Sequence, residues 1–347
     1  MKISLIPSRG GKPRAFIIAE AGVNHNGDLR LAKRLVDAAK AAGADAVKFQ
    51  SFRSDGLVTR SARTADYQRA ATRARSQFAM LKKLELGEKA HAILFAHCRR
   101  KGILFMSSPF DAESADLLGR LGVDRFKLGS GEITNRGLIE HVARKKRPII
   151  LSTGMSTLDD VRRALRWIRD EGRVPVTLLH CVTQYPLPVG EVNLRAMDTL
   201  RETFGLPVGY SDHTRGITVP LAAAARGAVV IEKHLTLDRR LPGPDQRASL
   251  EPAEFKAMVR GIRDVEACLG DGVKRVAACE AKNRLVARRS LVAARDLPAE
   301  HVLTEGDLLA KRPGTGISPA DEPRLLGRSL RRAVKRDELL NWKRLRG

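Results

Sequence analysis

Eight short apolar runs, each followed by polar or charged residues, recur along the chain of 347 residues. Each run has the length and composition of a buried β-strand, and helical stretches fill nearly all of the junctions between runs. Eight such β-α units predict an α/β fold, the (β/α)8 or TIM barrel, in which the carboxyl ends of all strands meet at one face. The runs are residues 15–20, 46–50, 103–108, 125–130, 149–153, 176–181, 208–212 and 229–234.

The pattern of apolar residues along the sequence changes near residue 285. Beyond that point the apolar runs are short, Gly and Pro punctuate them, and no long amphipathic helix is visible. We therefore expect a barrel over residues 1–280 and a small, loop-rich second domain over residues 285–347. A domain of about 60 residues has little core of its own, so we expect it to be stabilised by packing against a partner surface.

Composition narrows the function classes. The chain has no apolar run long enough to cross a bilayer and its start lacks the pattern of a signal peptide, so we expect a cytoplasmic protein without a membrane partner. Its four cysteines are scattered, which disfavours disulfides and a structural zinc site. The net charge of +24 is spread evenly and aromatic residues make up only 4%. We interpret this charge as solvated basic helix faces and expect no nucleic-acid partner.

Three lysines lie inside the predicted strands, where apolar residues are expected: Lys48, Lys127 and Lys233. A buried ammonium group is costly unless it meets an anion, and buried lysines are rare in cores. Hydroxyl groups near the strand ends can donate hydrogen bonds to the oxygens of the same anion. Together these groups predict an anionic, phosphorylated substrate. The hydroxyls belong to Ser107, Ser108, Ser130, Ser152 and Ser211.

Two histidines, His213 and His234, follow the seventh and eighth runs at corresponding positions. Adjacent strands lie about 4.8 Å apart, so both imidazoles can reach one ion. The other candidate ligands nearby are oxygens rather than thiolates, which favours an exchangeable Mn²⁺ or Mg²⁺ over a closed zinc site. The alternative is a pair of ordinary polar histidines at the barrel mouth. His25, Glu20 and Glu132 are further acid–base candidates, and spacing alone does not rank them.

Many of these residues fall in segments that resemble the sialic acid synthase family, whose members make nonulosonic acids from phosphoenolpyruvate and an N-acylated amino-hexose. The matching segments are IAEAGVNHNGD (18–28), AVKFQ (46–50), SSPFD (107–111), FKLGSGEI (126–133), LSTGMS (151–156), HCVTQYPLP (180–188), GYSDHT (209–214), IEKHLTLD (231–238) and LPGPDQRASLEP (241–252). Downstream, ARRSLVAARDL and KRPGTGIS resemble the family's small antifreeze-like (SAF) domain. The resemblance implies a TIM barrel followed by a SAF domain, and a domain-swapped homodimer.

The resemblance also implies roles for individual residues. The residues that would take part in the chemistry are Glu20, Lys48, Glu132 and Glu232. The residues that would hold phosphoenolpyruvate are Lys48, Ser108, Lys127, Ser130, Ser152, Thr183 and Ser211. The sugar would be contacted by Gln50, Tyr185, Asp245 and, from the second subunit, Arg312. His213 and His234 would bind Mn²⁺ or Mg²⁺.

Four positions depart from the family's usual pattern. Ser108 replaces a Thr before Pro-Phe, and Thr183 stands where Asn is common. Ala71 lies near the position at which the family usually has an Asn, in the long loop 51–76. We expect this loop to be a lid or a substrate-binding loop. Gln246 replaces the His of Gly-Pro-Asp-His. These changes lie mainly on the sugar side and leave the phosphoenolpyruvate side nearly intact.

The main hypothesis is a phosphoenolpyruvate-dependent nonulosonic acid synthase, a transferase of the EC 2.5.1 type. It would condense phosphoenolpyruvate, water and an open-chain N-acylated hexosamine (N-acetylmannosamine or a relative) with metal assistance, and would release phosphate by C–O cleavage. The alternative is an N,N'-diacetyllegionaminate-type synthase that uses a dideoxy diacetamido sugar. The other hypotheses are a metal-dependent aldolase, another deoxy-sugar-acid synthase, and a nucleic-acid-binding protein that exploits the positive charge.

Overall fold

One eight-stranded sheet dominates the computed structural model, which describes residues 14–346. Its strands are β1 (Phe16–Gly22), β2 (Ala46–Ser51), β3 (Leu104–Pro109), β4 (Phe126–Leu128), β5 (Ile149–Ser152), β6 (Val176–His180), β7 (Val208–Asp212) and β8 (Val230–His234). Parallel ladders link them in the order β3-β2-β1-β8-β7-β6-β5-β4, and β3 and β4 contact each other to complete the ring. The predicted (β/α)8 barrel is confirmed.

Helices alternate with the strands and cover the outside of the barrel. The first, α1 (Leu29–Ala41), begins where Asp28 accepts a hydrogen bond from the Arg30 N–H at 2.6 Å, and its apolar stripe, which includes Leu35 and Val36, is buried. The others are α2 (Ser54–Leu57), α3 (Asp66–Thr72), α4 (Gln77–Lys82), α5 (Glu88–Lys101), α6 (Ala112–Leu121), α7 (Arg136–Ala143), α8 (Leu158–Asp170), α9 (Ala196–Phe204), α10 (Thr218–Ala225) and α11 (Pro252–Cys268).

The segment after β2 is more structured than its sequence predicts. The expected loop 51–76 contains α2 and α3, and the apolar pattern over 77–101, which predicts one helix, is divided into α4 and α5. The division falls just before Gly87, and glycine weakens a helix interior. The Glu85 carboxylate accepts a hydrogen bond from the Ser54 N–H at 2.6 Å. This hydrogen bond connects the segment between α4 and α5 to the first residue of α2.

Alternation of side chains along the strands separates the barrel interior from its helical coat. An apolar layer, which we call the apolar plug, fills the interior; its members are Phe16, Ile18, Ala46, Met106, Ile150, Leu179 and Val230. Two residues further along the same strands, the same face carries polar groups, as in Lys48 after Ala46 and Glu232 after Val230. The plug is therefore the floor beneath a layer of polar side chains.

The described chain divides into two compact units between Gly270 and Asp271. The second unit contains α12 (Ala281–Ala287) and two short antiparallel pairs, β9 (Ser290–Ala293) with β10 (Leu308–Lys311), and β11 (Ser329–Leu330) with β12 (Leu345–Arg346). It has a small core of its own, formed by Leu291, Ala293, Leu297, Leu303, Leu308, Ile317, Leu325, Leu330, Val334, Leu340 and Leu345. The domain bounds 1–280 and 285–347 stay predictions.

Within residues 14–346 no helix combines the length and the apolar character that a membrane span requires. The predictions of a cytoplasmic location and of no nucleic-acid partner are not tested by the fold and stay predictions.

Candidate active site

Polar side chains above the apolar plug meet at the carboxyl ends of the strands. The strand register places predicted site residues side by side: Glu20 with Lys48, Gln50 with Ser108, and Ser211 with Glu232. The interior-facing positions of a closed parallel barrel point into one cleft. The structure therefore brings most of the predicted barrel site residues together at one face.

Two lysines and two glutamates form a buried charge cluster in this cleft. Lys48 Nζ lies 2.7 Å from Glu20 Oε2 and 3.8 Å from Glu232 Oε2. Lys127 Nζ lies 3.2 Å from Glu232 Oε1, and both lysines are only 3% exposed. This arrangement is a pair of buried ammonium groups held in place by carboxylates.

The protonation of the charge cluster follows from its geometry. Burial lowers the pKa of Lys48, but the attraction of Glu20 and Glu232 outweighs it, so the pKa lies above its usual value. Burial raises the pKa of Glu232, but Lys127 and Lys48 outweigh it and hold that pKa below its usual value. The cluster therefore keeps Lys48 cationic and Glu232 anionic at neutral pH.

Hydroxyl groups surround the charge cluster. Ser108 Oγ lies 3.2 Å from Lys48 Nζ, and the Ser211 hydroxyl donates to Glu232 Oε1 at 3.0 Å. The hydroxyl oxygens of Ser152 and Thr183 are buried and have no hydrogen-bond partner within residues 14–346. A buried polar group without a partner is costly. These two donors are therefore available to an anion that enters the cleft.

Gly154 brings the backbone close to the same group of hydroxyls. Its N–H donates to Ser130 Oγ at 3.0 Å. A Cβ at this position would lie 2.5 Å from Thr183 Oγ1, 2.8 Å from Ser130 Oγ and 3.0 Å from Cys181 Sγ. Only glycine leaves room for the three side chains to converge here. Sequence reasoning did not select Gly154 or Cys181; the segment Leu-Ser-Thr-Gly-Met-Ser was the available signal.

The two predicted metal ligands lie next to each other. The ring centroids of His213 and His234 are 5.6 Å apart, and the ring centroid of Tyr185 lies 4.1 Å from that of His213. His213 Nδ1 donates to the Val182 carbonyl at 2.7 Å, which leaves Nε2 with its lone pair. Burial lowers the pKa of both imidazoles, so both are neutral at pH 7. A neutral imidazole is the form that binds a metal ion.

The surroundings of these imidazoles fit an exchangeable ion. His234 Nδ1 is buried and has no hydrogen-bond partner within the described part of the chain; Asp245 Oδ2 lies 4.0 Å from it. No group of three or more His, Cys, Asp or Glu side chains able to hold a metal is found among residues 14–346. Two imidazoles therefore suit an ion that completes its coordination with water and substrate oxygens, rather than a closed structural site.

A second set of predicted residues adjoins the charge cluster. Gln50 Nε2 donates to Glu20 Oε1 at 3.2 Å. A Cβ on Gly22 would lie 3.2 Å from Glu20 Oε1, 3.4 Å from Gln50 Nε2 and 3.6 Å from Asp245 Oδ2, so Gly22 lies at the centre of this set. Burial and the neighbouring Glu20 raise the pKa of Asp245 to about 7, against the opposing effect of Lys48. Asp245 therefore changes its charge near neutral pH.

Glu132 lies in the single-turn 3₁₀ helix Ser130–Glu132 that follows β4, and it is buried. Asn135 donates to its Oε2 at 2.7 Å, which orients the carboxyl group. Burial raises the pKa of Glu132, although the hydrogen bond from Asn135 opposes the shift. A carboxylate with a raised pKa is better matched to proton transfer at neutral pH.

Two residues of the predicted anion site face away from the cleft. Lys233 alternates with Glu232 and His234, so its side chain lies on the other face of β8, where it contacts Asp212 Oδ2 at 2.5 Å. Ser107 likewise bonds Ser51 Oγ at 2.7 Å outside the barrel interior. The prediction that Lys233 and Ser107 contribute to the anion receptor is wrong, because the two-residue alternation of a strand turns them outwards.

Gln246, which replaces the family's His, is fully buried and holds loops together. Its amide donates to the carbonyl of Asn24 at 3.1 Å and to that of Pro242 at 3.3 Å, and its Oε1 accepts from the Thr236 hydroxyl. This position therefore supports the loop that carries Asp245. Arg312 lies in the second unit, so its contact with the sugar stays a prediction.

The barrel unit also contains a cavity of about 620 Å³. One wall is the loop Pro242, Gly243 and Pro244, directly before Asp245, and the other is the segment 71–84. Met80, Leu84 and three alanines give it apolar surface, while Asn26, Thr72, Arg73, Arg75, Ser76 and Lys83 provide polar groups. This volume lies within the usual range for a small-molecule site.

The sequence of this chain is similar to known proteins along most of its length. Residues 35–274 match the NeuB family, and residues 288–346 match the SAF domain. This chain belongs to the NeuB family. The predicted family and the predicted SAF domain are both confirmed.

The relatives extend over nearly the whole chain. The N,N'-diacetyllegionaminic acid synthase of Campylobacter jejuni subsp. jejuni serotype O:2 is 48% identical over 94% of this chain and 99% of its own. The N,N'-diacetyllegionaminic acid synthase of Legionella pneumophila subsp. pneumophila is 47% identical over 99% of this chain and 98% of its own. The crystal structure of the N-acetylneuraminic acid synthetase of Leptospira borgpetersenii, a citrate complex, gives a TM-score of 0.70 at 35% identity over 80% of this chain and 94% of that one. The chain is therefore an enzyme of the nonulosonic acid synthase type.

Proposed function

We propose that this enzyme is an N,N'-diacetyllegionaminic acid synthase, which condenses phosphoenolpyruvate with a dideoxy diacetamido sugar and water. The observation that carries the proposal is the 47–48% identity, over at least 94% of this chain, to two proteins of that name. The sequence alone favours N-acetylmannosamine or a related N-acylated hexosamine as the acceptor, with a dideoxy diacetamido sugar as the alternative. The relatives favour the alternative, because identity to the N-acetylneuraminic acid synthetase is only 35%.

The charge cluster and its hydroxyls support phosphoenolpyruvate as the donor substrate. Lys48 and Lys127 supply two cations above the plug, and Ser152 and Thr183 supply hydroxyl donors without partners in the described chain. Phosphate and carboxylate oxygens accept such charge-assisted hydrogen bonds. Ser108, Ser130 and Ser211 would complete the binding site. The two ammonium groups would also stabilise the phosphate as it leaves.

His213 and His234 would hold Mn²⁺ or Mg²⁺ at the acceptor side of the cleft. A bound divalent ion polarises a carbonyl oxygen as a Lewis acid, here the aldehyde of the open-chain sugar. Tyr185, Gln50 and Asp245 would orient the sugar, since the ring of Tyr185 contacts that of His213, and Gln50 and Asp245 meet at Gly22.

The reaction balances with one water molecule. A bond forms between C3 of phosphoenolpyruvate and the aldehyde carbon, and the aldehyde oxygen gains a proton to become a hydroxyl group. Water adds at C2 and loses one proton, which gives a tetrahedral intermediate with a hydroxyl group on C2. The C2–O bond to phosphate then breaks while that hydroxyl group loses its proton and becomes the keto oxygen of the product, so phosphate leaves as hydrogen phosphate. Glu132, oriented by Asn135 and raised in pKa by burial, would take the proton from water. Glu20 and Glu232 would stabilise positive character at C2.

The 620 Å³ cavity supports the diacetamido acceptor. A dideoxy diacetamido sugar differs from N-acetylmannosamine by a second acetamido group, with its methyl group, in place of a hydroxyl group. The apolar side chains Met80 and Leu84 offer surface for this methyl group, and the cavity adjoins the loop that carries Asp245.

We also propose that the active form is a domain-swapped homodimer, in which Arg312 of each subunit reaches the acyl-amino group in the other. Arg312 is exposed in the second unit. Light scattering would show a dimer, and mixing an Arg312→Ala variant with a His213→Ala variant should restore part of the activity. The absence of restored activity in a mixed dimer would contradict the exchange of domains.

The central experiment measures phosphate release and product mass. The purified chain receives phosphoenolpyruvate, Mn²⁺ and either a dideoxy diacetamido sugar, N-acetylmannosamine or a phosphorylated aldose. We expect phosphate release that requires both sugar and metal, greatest with the diacetamido sugar, and a product with the mass of the sugar plus pyruvate. His213→Ala should abolish release, whereas the control His141→Ala, on α7 and paired with Asp116, should not. No release with any of these sugars would refute the proposal.

A further inference from the structure

Lys233 has no role in the proposed reaction, yet it lies between two residues that do. It is fully buried and follows Glu232 and precedes His234 on β8. Its ammonium group contacts Asp212 Oδ2 at 2.5 Å and the carbonyl of Thr214. These two partners flank His213 in sequence. A single buried side chain therefore joins the strand that carries His234 to both neighbours of His213.

Both carboxylate oxygens of Asp212 accept hydrogen bonds. Its Oδ1 accepts from the Tyr210 hydroxyl and from the Thr214 N–H, each at 3.1 Å, and its Oδ2 also accepts from the Thr214 hydroxyl at 3.0 Å. Asp212 and Lys233 are partners in the register of β7 and β8. A fully satisfied buried network of this kind rigidifies the backbone around it.

The close approach of β7 and β8 is a second, independent sign of a fixed geometry. A Cβ on Gly209 would collide with the Val230 carbonyl and would lie 2.7 Å from Leu179 Cδ2, so the two strands meet more closely there than a side chain permits. The close contact at one end and the Lys233–Asp212 pair at the other leave little freedom for β7 to slide along β8.

We propose that the Lys233–Asp212 pair is a positioning device that sets the separation of His213 and His234 for metal binding. This inference rests on the proposed function. The bond from Nδ1 to the Val182 carbonyl fixes the direction of the His213 ring, and the pair fixes the backbone on both sides of it. A buried ion pair adds little net stability relative to apolar groups of similar volume. Its consequence here is the geometry of the two imidazoles, 5.6 Å apart.

The informative variant removes both charges at once. A single replacement would leave one buried charge without its partner and would destabilise the fold. We therefore choose the double variant Asp212→Asn with Lys233→Met, which keeps the approximate side-chain volumes. The control is Leu94→Ala, a change at a fully buried position on α5, which packs against β3. Circular dichroism would establish that both variants fold.

The measurement is direct binding of Mn²⁺ to the full chain, followed by the loss of the free-ion signal in electron paramagnetic resonance. Loss of groups that orient metal ligands weakens metal binding by about 10- to 100-fold, and we expect a change of that size in the double variant. Calorimetric binding of phosphoenolpyruvate should stay within about twofold, because Lys233 faces away from the charge cluster. Leu94→Ala should bind Mn²⁺ as the unmodified chain does.

Three results would overturn the inference, and they are distinguishable. Unchanged Mn²⁺ affinity in the double variant would refute the positioning role and leave the proposed function intact. Equal weakening in Leu94→Ala would assign the effect to general destabilisation. Absence of Mn²⁺ binding to the unmodified chain would remove the metal from the proposed function and the positioning role with it.

Discussion

Replacement of Lys127 by Met tests whether the charge cluster binds the donor substrate. Lys127 Nζ bonds Glu232 Oε1 at 3.2 Å in the buried cleft, and Met retains a similar length without the charge. The variant therefore removes one of the two cations that would meet phosphoenolpyruvate. It leaves the hydroxyls of Ser152 and Thr183 and the imidazole pair unchanged.

The expected loss follows from the hydrogen bonds that Lys127 can donate. A hydrogen bond to a charged group contributes about 1.5–3 kcal/mol, which corresponds to roughly 10- to 150-fold weaker binding of phosphoenolpyruvate. Burial raises the pKa of Glu232 while Lys127 and Lys48 lower it, so the loss of Lys127 also moves that pKa upwards. Glu232 would then be neutral over more of the pH range, and the lost charge would be partly compensated.

Calorimetric titration with phosphoenolpyruvate measures this loss, and phosphate release at varied phosphoenolpyruvate gives the change in KM. The matched control is Lys89→Met, which removes the same charge from an exposed position on α5. We expect the control to bind as the unmodified chain does. A folded Lys127→Met variant with unchanged affinity and unchanged KM would refute the assignment of the charge cluster to the donor substrate.

Three further predictions concern the neighbouring groups. The double variant Ser152→Ala with Thr183→Val should weaken phosphoenolpyruvate binding at least about tenfold, with little change in Tm, because neither hydroxyl has a partner within residues 14–346; a large fall in Tm with unchanged affinity would contradict this. Asp245→Asn should stabilise the metal-free protein above pH 7 but not below pH 4. Because the pKa of Asp245 is raised to about 7 in the folded state, the unmodified protein loses stability as the pH rises from the unfolded-state pKa of this group to its folded-state pKa. Denaturant unfolding at pH 4 and pH 8 measures the difference between the two proteins in the free energy of unfolding. An equal difference at both pH values would argue against this prediction. Ala79→Phe, which fills part of the 620 Å³ cavity, should raise the KM for the diacetamido sugar about tenfold and leave the KM for phosphoenolpyruvate unchanged; an unchanged sugar KM would place the acceptor elsewhere.

The sequence predicts the barrel well because each strand can be recognised from a few consecutive residues. Each apolar run followed by polar residues shows both a strand and the end of the strand that faces the cleft. Lys48, Lys127 and Glu232 could be selected in this way, since a charge in a buried strand is unusual at any position. The helices in 51–76 were missed because they are short and depend on contacts such as Glu85 with Ser54, which no local pattern reveals.

The error at Lys233 has a simple physical origin. Three polar residues in succession end β8, and a strand cannot turn all three into the barrel. The alternation of Glu232, Lys233 and His234 places the lysine on the outer face, and this could have been deduced from the sequence. The free hydroxyls of Ser152 and Thr183 could not, because the absence of a partner is a property of the three-dimensional arrangement.

The apolar plug and the polar layer occupy the same face of the same strands, two residues apart. A slip of β2 by one residue would exchange Lys48 for Val47 or Phe49 in the cleft and push an ammonium group among the surrounding helices. Turnover is therefore a reporter of strand alignment. During refolding, a compact chain whose sheet is misaligned would remain inactive, so activity would appear only after all strands have reached their final pairing.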